Sequence, residues 1–329
     1  MTAPEDILDP GQPIVDPHYH VWDMPGRRHL LDEVLANIRA GHDIRATVFV
    51  QCHAMYRADG PPALCPVGET EFATGIAAMS ASGIYGPARI NAGIVAFADL
   101  TLGAAAGAVL DAHARVAGAR LRGVRHITAW HADAGLLNPA NIVRPGMMAE
   151  AGFRAGFAEL APRGLVFDAW LLHPQLGDLA ALAAAFPETT IVLNHLGGPI
   201  GIGPYAGRRA DAFAEWRAGI RSLAARPNVA VKLGGLGMAL AGFGFDHATP
   251  SSTLAEAWTP YVAECVDAFG AARCMFESNF PVDLATCRYA TLWNAFKRIA
   301  RDASGAERAA LFHATATRIY RLAPQERAA

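Results

Sequence analysis

Three histidines lie at the ends of short apolar segments rich in β-branched residues. His18 and His20 are two positions apart in Ile14–Trp22, and His195 ends a later segment. Side chains of a strand alternate between its two faces, so Asp16, His18 and His20 are expected to share one face. Two imidazoles on one face can bind a metal ion or donate hydrogen bonds to a carbonyl oxygen. The pair therefore predicts a site for one of these two chemistries.

Glu277 and Asn279 lie two positions apart in the last apolar segment of the chain. They are expected to share a face, with Glu277 one layer deeper. A buried carboxylate in that position serves as a general base or orients a neighbouring side chain. A carboxylate paired inside the fold for structure alone is the alternative.

Basic side chains lie within or at the ends of other apolar segments. Lys232 interrupts such a segment, where an unpaired charge is unfavourable, so it is either paired in the interior or an anchor for substrate. Arg125 and His126 are consecutive and face opposite ways, so at most one of them faces the interior. An arginine there suits a substrate carboxylate, with a structural ion pair as the alternative. The residues predicted to bind substrate are Gln51, Tyr56, Arg57, Arg125, His126, His173 and Lys232.

Eight apolar segments of strand length run along the chain, and helix-length segments follow them. The predicted strands are Ile14–Trp22, Ala46–His53, Asn91–Leu100, Leu121–Thr128, Leu165–His173, Thr190–Leu196, Asn228–Leu236 and Arg273–Val282. The predicted helices are Arg28–Ala40, Glu69–Ser82, Gly103–Ala117, Gly146–Leu160, Gln175–Ala185, Ala210–Ala225, Thr259–Phe269, Leu284–Arg301 and Glu307–Arg321. Near-continuous hydrophobicity suits parallel strands that are buried on both faces.

This alternation predicts βαβ units with right-handed crossovers, and eight of them predict a (β/α)8 barrel of the TIM type. A doubly wound open sheet is the rival, but it needs a glycine-rich fingerprint where this chain has Pro17–His20. We expect one domain over residues 1–329, with an N-terminal tail at 1–13 and active-site loop insertions at 54–68 and 236–258. Both insertions follow strand C-termini, where barrel enzymes build their active sites.

The composition fits a globular enzyme and argues against several other classes. The 329 residues are 52% hydrophobic with a net charge of −2, without the basic patch of a nucleic-acid or membrane-surface binder. The N-terminus lacks signal-peptide features, and no apolar run reaches the length of a membrane span. Five scattered cysteines without a C-x-x-C pair indicate free thiols in a reducing cytoplasm. We expect a small-molecule substrate as partner, no nucleic acid and no membrane, and we leave a homo-oligomer open.

Taken in order, these motifs resemble the amidohydrolase superfamily. Its marks are a His-x-His on strand one, a histidine on strand six and an acidic-Ser-(Asp)-aromatic-Pro turn on strand eight, here Glu277–Pro281. More closely, the chain resembles a branch of TIM-barrel hydrolases that includes 2-pyrone-4,6-dicarboxylate lactonase and fuconolactonase-like proteins. Other matching segments are Gly93–Val95, Ala98–Leu100, Gly123–His126, Asn194–Gly197, Val231–Leu233 and Arg318–Tyr320.

The resemblance implies a distorted (β/α)8 barrel that hydrolyses the carbonyl of a small, anionic lactone or ester with activated water. His18, His20 and His195 would polarise the carbonyl or bind one divalent metal, zinc or manganese. Lactonases of this branch also work without a metal. In the family, an aspartate on strand eight activates the water. The catalytic set carried over to this chain is His18, His20, His195, Glu277 and Asn279.

Asn279 stands where the family has that aspartate, and an amide is no general base. Three interpretations follow: Glu277 takes over the carboxylate role, Asp283 swings in, or the protein no longer hydrolyses lactones. Two further functions stay open, a metal-dependent decarboxylase of an aromatic acid and a catalytically silent barrel that binds a ligand. Decarboxylases of the superfamily usually keep the aspartate, and the intact histidines argue against a silent barrel.

Overall fold

Eight parallel strands form a nearly closed barrel in the computed structural model, which describes residues 5–322. Each strand pairs with the next along the chain. The first and last strands meet where the His20 amide donates to the Phe280 carbonyl at 2.8 Å. The predicted (β/α)8 barrel is therefore confirmed. The strands are β1 Pro13–Tyr19, β2 Asp43–Val50, β3 Arg89–Ala96, β4 Leu121–Val124, β5 Val166–Ala169, β6 Ile191–Leu193, β7 Val229–Leu233 and β8 Cys274–Phe276.

A helix follows every strand and covers the outside of the barrel. In the first helix, Leu31, Val34, Leu35 and Ile38 are buried, which is the spacing of one apolar stripe facing the sheet. Within residues 5–322, none of the helices has the length and apolar character needed to cross a bilayer. The helices are α1 Leu31–Ile38, α2 Val67–Ala81, α3 Ala106–Ala117, α4 Ala151–Ala158, α5 Leu176–Ala185, α6 Arg209–Ala224, α7 Ser251–Phe269 and α8 Tyr289–Ile299.

A last helical segment closes the end of the barrel where the strands begin. It consists of α9 Gly305–Ala309, a π-helical turn Ala310–Ala314 and α10 Thr315–Ile319. Ser304 and Glu307 form a capping box that starts α9. Ile319 and Tyr320 pack against the valines of the barrel interior, so this segment fills the core beneath the site.

The strands end earlier than the sequence predicts. β6 ends at Leu193, before His195, and β8 ends at Phe276, before Glu277 and Asn279. His195 and Asn279 have left-handed backbones, with φ of 54° and 55°, which turn the chain out of the sheet. The polar residues of these segments therefore lie on loops just beyond the strand ends.

Two other predicted boundaries were wrong. The second insertion, 236–258, ends at Pro250 because α7 begins at Ser251. The first predicted helix begins only at Leu31, because a hairpin of Trp22–Met24 and Arg27–His29 occupies the preceding residues. The insertion at 54–68 holds one short helical turn before α2 begins.

β1 pairs irregularly with β2 between Asp16 and Tyr19. Such an irregularity breaks the alternation of side chains between the two faces. Asp16 accepts a hydrogen bond from Tyr289 of α8, outside the barrel, at 2.9 Å. His18 instead contacts Arg125 in the interior. The prediction that Asp16 shares the face of the histidines was therefore wrong.

Candidate active site

Glu277 lies at the centre of a buried cluster where the strands end, between His18 and His195. Its Oε1 accepts hydrogen bonds from His195 Nδ1 at 2.7 Å and from the His195 amide at 3.0 Å. Its Oε2 lies 2.8 Å from His18 Nδ1, although this contact lacks hydrogen-bond alignment. One carboxylate, wholly shielded from solvent, therefore accepts hydrogen bonds from His195 and lies against the ring of His18.

Two glycines after β7 allow this close packing. A Cβ on Gly235 would lie 2.5 Å from His195 Nδ1, and one on Gly234 would lie 2.3 Å from the Glu277 carbonyl. Gly235 also has a φ of +70°, which disfavours any other residue. The glycines therefore fix how closely the imidazole and carboxylate approach.

The Gly235→Ala variant is expected to lower kcat by about 10–100-fold, because the new methyl group displaces the His195 ring. Gly207→Ala is the matched control: its φ is +72°, but no atom lies within 4 Å of the added Cβ. Steady-state kinetics and thermal melting of both variants separate backbone strain from displacement. Equal kcat losses in the two variants would show that crowding of His195 is irrelevant.

The hydrogen bonds assign a ring proton on two of the three histidines, His20 and His195. The Val50 carbonyl can only accept, so His20 Nδ1, 2.7 Å away, carries a proton. The same logic places a proton on His195 Nδ1, beside the Glu277 carboxylate. His18 differs, because both of its ring nitrogens face groups that can only donate: an Arg125 nitrogen lies 3.2 Å from Nε2 and Lys232 Nζ lies 3.3 Å from Nδ1, so these contacts do not select a tautomer. In the neutral His195 ring, Nε2 is then the nitrogen without a proton, and it has no hydrogen-bond partner within residues 5–322.

Burial keeps the two histidines of β1 uncharged. It holds the pKa of His18 well below the usual value, with Lys232 and the neighbouring histidines acting in the same direction. Burial also lowers the pKa of His20 strongly, with Arg125 adding to the effect. Neutral imidazoles accept protons or metal ions but do not act as cationic donors. Both ring nitrogens of His18 already have neighbours, so neither is free to polarise a carbonyl.

Arg125 brings a buried guanidinium into the cluster without a carboxylate in contact. It donates to His18 Nε2 and to the Gln51 carbonyl, and its Nε has no partner. Burial lowers its pKa, against the more distant charges of Asp168 and other acids. The Gln51 side chain is also fully buried, and both of its amide atoms lack partners. Orphaned buried polar atoms at one place indicate where a ligand would bind.

Lys232 forms a buried ion pair with Asp168 below the histidines. The Nζ–Oδ2 distance is 2.6 Å, and Nζ lies 3.3 Å from His18 Nδ1. Tyr320 and Asn194 also donate to Asp168, at 2.8 and 3.0 Å. Of the two interpretations of Lys232, the structure therefore favours the paired interior charge. Sequence reasoning missed Asp168, although the signal that marked Lys232, a charge in an apolar strand, was present there too.

Asn279 and Asp283 form a buried pair beside His20. Asn279 Nδ2 donates to Asp283 Oδ1 at 2.9 Å, and the Gly237 amide lies 3.3 Å from Oδ2. Burial raises the pKa of Asp283 to about 8, and the nearby Glu277 acts in the same direction. The Asp283 carboxyl is therefore mostly protonated at pH 7, which argues against it as the general base.

The structure does not bring every predicted residue to this cluster. Arg57 pairs with Glu71 of α2 on the surface. His173 is buried, but its Nδ1 accepts the Ile200 amide at 3.2 Å. Tyr56 and His126 line a separate cavity.

Two tryptophans border the histidines, and nothing in the sequence marked them. The Trp22 ring stacks against His20 with centroids 6.0 Å apart. The Trp170 ring meets His195 edge-on at 4.7 Å. Both are half-buried, so they form apolar walls beside the catalytic nitrogens.

The cluster fits a divalent metal in ligand type and spacing. His18, His195 and Glu277 offer ligand atoms that all lie within 4.8 Å of one another, and Glu277 Oε2 lacks a hydrogen-bond donor. Two imidazoles and a carboxylate are ligands that zinc accepts. This set contains Glu277 in place of the predicted His20. Lys232 and Arg125 flank His18, and their charges weaken the affinity for a cation.

Residues 15–322 match the amidohydrolase family, and the chain belongs to it. The uncharacterized protein y4mH of Sinorhizobium fredii is 32% identical over 94% of this chain and 98% of its own length. An L-fucono-1,5-lactonase of Burkholderia multivorans is 34% identical over 62% of this chain and 64% of its own length. The predicted family is confirmed, and the family together with the lactonase relative supports hydrolytic chemistry.

A solved structure supports the same assignment. An amidohydrolase from Burkholderia multivorans is 29% identical, covers 94% of this chain and 99% of its own, and superimposes with a TM-score of 0.73. That protein was crystallised with bound zinc in one form and with bound HEPES in another.

Proposed function

We propose that this chain hydrolyses a small lactone or ester that carries a carboxylate, with His195 as the general base. The observation that carries the proposal is the Glu277–His195 pair, which fixes a proton on Nδ1 and leaves Nε2 free. A carboxylate behind an imidazole holds the ring in one tautomer and stabilises its charged form. The lactonase relative supports this reaction class.

His195 Nε2 would take a proton from water as the water oxygen bonds to the carbonyl carbon. Glu277 then stabilises the imidazolium through Nδ1. The proton taken from water passes from Nε2 to the leaving alkoxide oxygen as the bond between this oxygen and the carbonyl carbon breaks. A lactone ring opens to a hydroxy acid in this sequence. Glu277 thus acts through His195, which replaces the earlier hypothesis that Glu277 is itself the base.

Arg125 and Gln51 provide the polar contacts for substrate. The buried guanidinium has no carboxylate partner, so we assign it to the anionic group of the substrate. The Gln51 amide is buried and unpaired, which suits a hydrogen bond to the carbonyl oxygen as it gains charge. A metal held by His18, His195 and Glu277 would supply Lewis-acid polarisation of the carbonyl, and His195 would then be a ligand and not the general base.

A panel of lactones and one aromatic acid tests the reaction class, with metal content measured on the same sample. Release of acid from lactones, followed in a pH-stat, supports the proposal. Carbon dioxide release from the aromatic acid without lactone hydrolysis would favour the decarboxylase. No turnover of either substrate class, with or without added zinc or manganese, would favour the silent barrel.

The Arg125→Gln variant is expected to lower kcat/KM for an anionic lactone by about 10–150-fold, because a charge-assisted hydrogen bond is lost. The loss for a neutral analogue of the same ring is expected to be several-fold smaller. Arg57→Gln is the control, because Arg57 pairs with Glu71 outside the cluster. Equal losses for both substrates would contradict the carboxylate-binding role.

A further inference from the structure

A second cavity lies beside β2, β3 and β4, at the same end of the barrel as the catalytic cluster. It has a volume of about 230 Å³. His126 and Arg125 are consecutive residues, but Arg125 contacts His18 while His126 lines this cavity. The proposed lactone chemistry uses neither the cavity nor His126.

Four rings form one wall of the cavity, with Phe97 in the middle. The Phe97 centroid lies 5.4 Å from that of His126, 6.0 Å from that of His53 and 6.5 Å from that of Tyr56. The Phe97 and Tyr56 rings are stacked. A wall built from flat rings favours a flat ring in contact with it.

His126 offers one unused hydrogen-bond donor to this cavity. The Leu100 amide donates to His126 Nδ1 at 3.1 Å, so Nδ1 is unprotonated and the proton of the neutral ring sits on Nε2. The residue is only 5% exposed, and Nε2 has no hydrogen-bond partner within residues 5–322. His126 Nε2 is not among the buried atoms that lack a partner, so it reaches solvent in the cavity, where the acceptor of a ligand would replace water.

The lining of the cavity carries little net charge. Burial lowers the pKa of His126 to about 4 and also lowers the pKa of His53, so both rings are neutral at pH 7. Arg144 at the cavity pairs with Glu150, and Asp99 accepts hydrogen bonds from Thr101 at 2.9 and 2.6 Å. Thr101 is neutral, so Asp99 keeps its negative charge, but Arg144 in the same lining is positive and interacts with it, which leaves the net charge of the lining near zero.

We propose that this cavity is a second binding site, for an uncharged, planar ring that bears a hydrogen-bond acceptor. The ring packs on Phe97, and its acceptor accepts a hydrogen bond from His126 Nε2. The opposite side of the cavity includes Asn141, which His53 Nε2 holds by a hydrogen bond of 3.0 Å.

Benzamide is the probe, because it has a flat ring and an uncharged carbonyl acceptor. Isothermal titration should show saturable binding to the whole protein at millimolar concentration. Cyclohexanecarboxamide, which has the acceptor without the flat ring, and benzoate, which is charged, should each bind several-fold more weakly. A crystal structure with benzamide should place it against Phe97.

Two variants test the assigned contacts. His126→Phe should weaken benzamide binding by about 3–10-fold through the lost hydrogen bond. Phe97→Leu keeps His126 and should weaken it by about 2–10-fold through the lost ring contact. Ile84→Ala, at an exposed apolar residue elsewhere, should leave binding unchanged, and melting curves confirm that the variants fold.

The proposal is overturned if benzamide does not bind, if both variants bind it as the wild type does, or if the two competitors bind as tightly. It is also overturned if Arg125→Gln abolishes benzamide binding while His126→Phe does not, since benzamide then occupies the catalytic cluster. Because the readout is binding, this test is independent of lactone turnover.

Discussion

The His195→Gln variant is expected to lower kcat for the lactone identified by the panel by about 10²–10⁴-fold, the range for loss of a general base. The physical reason is the unprotonated Nε2, which Glu277 fixes by holding the proton on Nδ1. Glu277→Gln should cost a similar factor, because an amide holds the ring without stabilising its positive charge. Steady-state kinetics under saturating substrate measure both effects.

His173→Gln is the matched control for this prediction. His173 also follows a barrel strand and is buried, but its Nδ1 accepts the Ile200 amide, away from Glu277. Its kcat should stay within a few-fold of the wild-type value. If His195→Gln loses no more activity than His173→Gln, His195 is not the base. If Glu277→Gln alone retains wild-type kcat, the carboxylate does not orient the base.

The Lys232→Met variant is expected to destabilise the fold by about 3–5 kcal/mol, because it leaves the Asp168 carboxylate buried without its counter-charge. Both side chains are fully shielded from solvent, so water cannot replace the lost ammonium. The double variant Asp168→Asn/Lys232→Met should be less destabilised than Lys232→Met, since the amide carries no charge. Urea unfolding midpoints with unchanged slopes measure the difference.

The only other lysine of the sequence provides the comparison. Lys297 is also buried, but it donates to the carbonyls of Leu8 and Asp9 and contacts His42, without an acid in contact. Lys297→Met should therefore lose about 1.5–3 kcal/mol, the value of hydrogen bonds to a charged group. Equal destabilisation by the two lysine variants would show that the Asp168 charge is not the cause.

The sequence predicted the barrel because hydrophobic periodicity is local. Eight β-branched segments alternating with helix-length segments leave few topologies, since crossovers are right-handed and parallel strands are buried on both faces. The predicted strand ends were less accurate, because the apolar segments continue past the last residues of the sheet, to His195 and Asn279. Their positive φ values depend on loop packing, which no local pattern records.

The sequence also limited which residues could meet. The alternation rule predicted that Arg125 and His126 diverge, and in the structure the first contacts His18 and the second Leu100. The same rule failed for Asp16, because an irregularity in β1 changes the register. Alternation is reliable only where the strand pairing is regular.

By itself, the sequence determined the barrel, the histidines at its rim and the absence of the family aspartate at Asn279, all of which are properties of residue type and spacing. The tertiary structure decided that Glu277 lies between His18 and His195, that Lys232 pairs with Asp168, and that Nδ1 of His20 and of His195 carries a proton. These relations join residues far apart in the chain, and they depend on distances of a few tenths of an ångström. Hydrogen bonding and charge pairing vary steeply over such distances, so they become definite only when the strands have closed around the site.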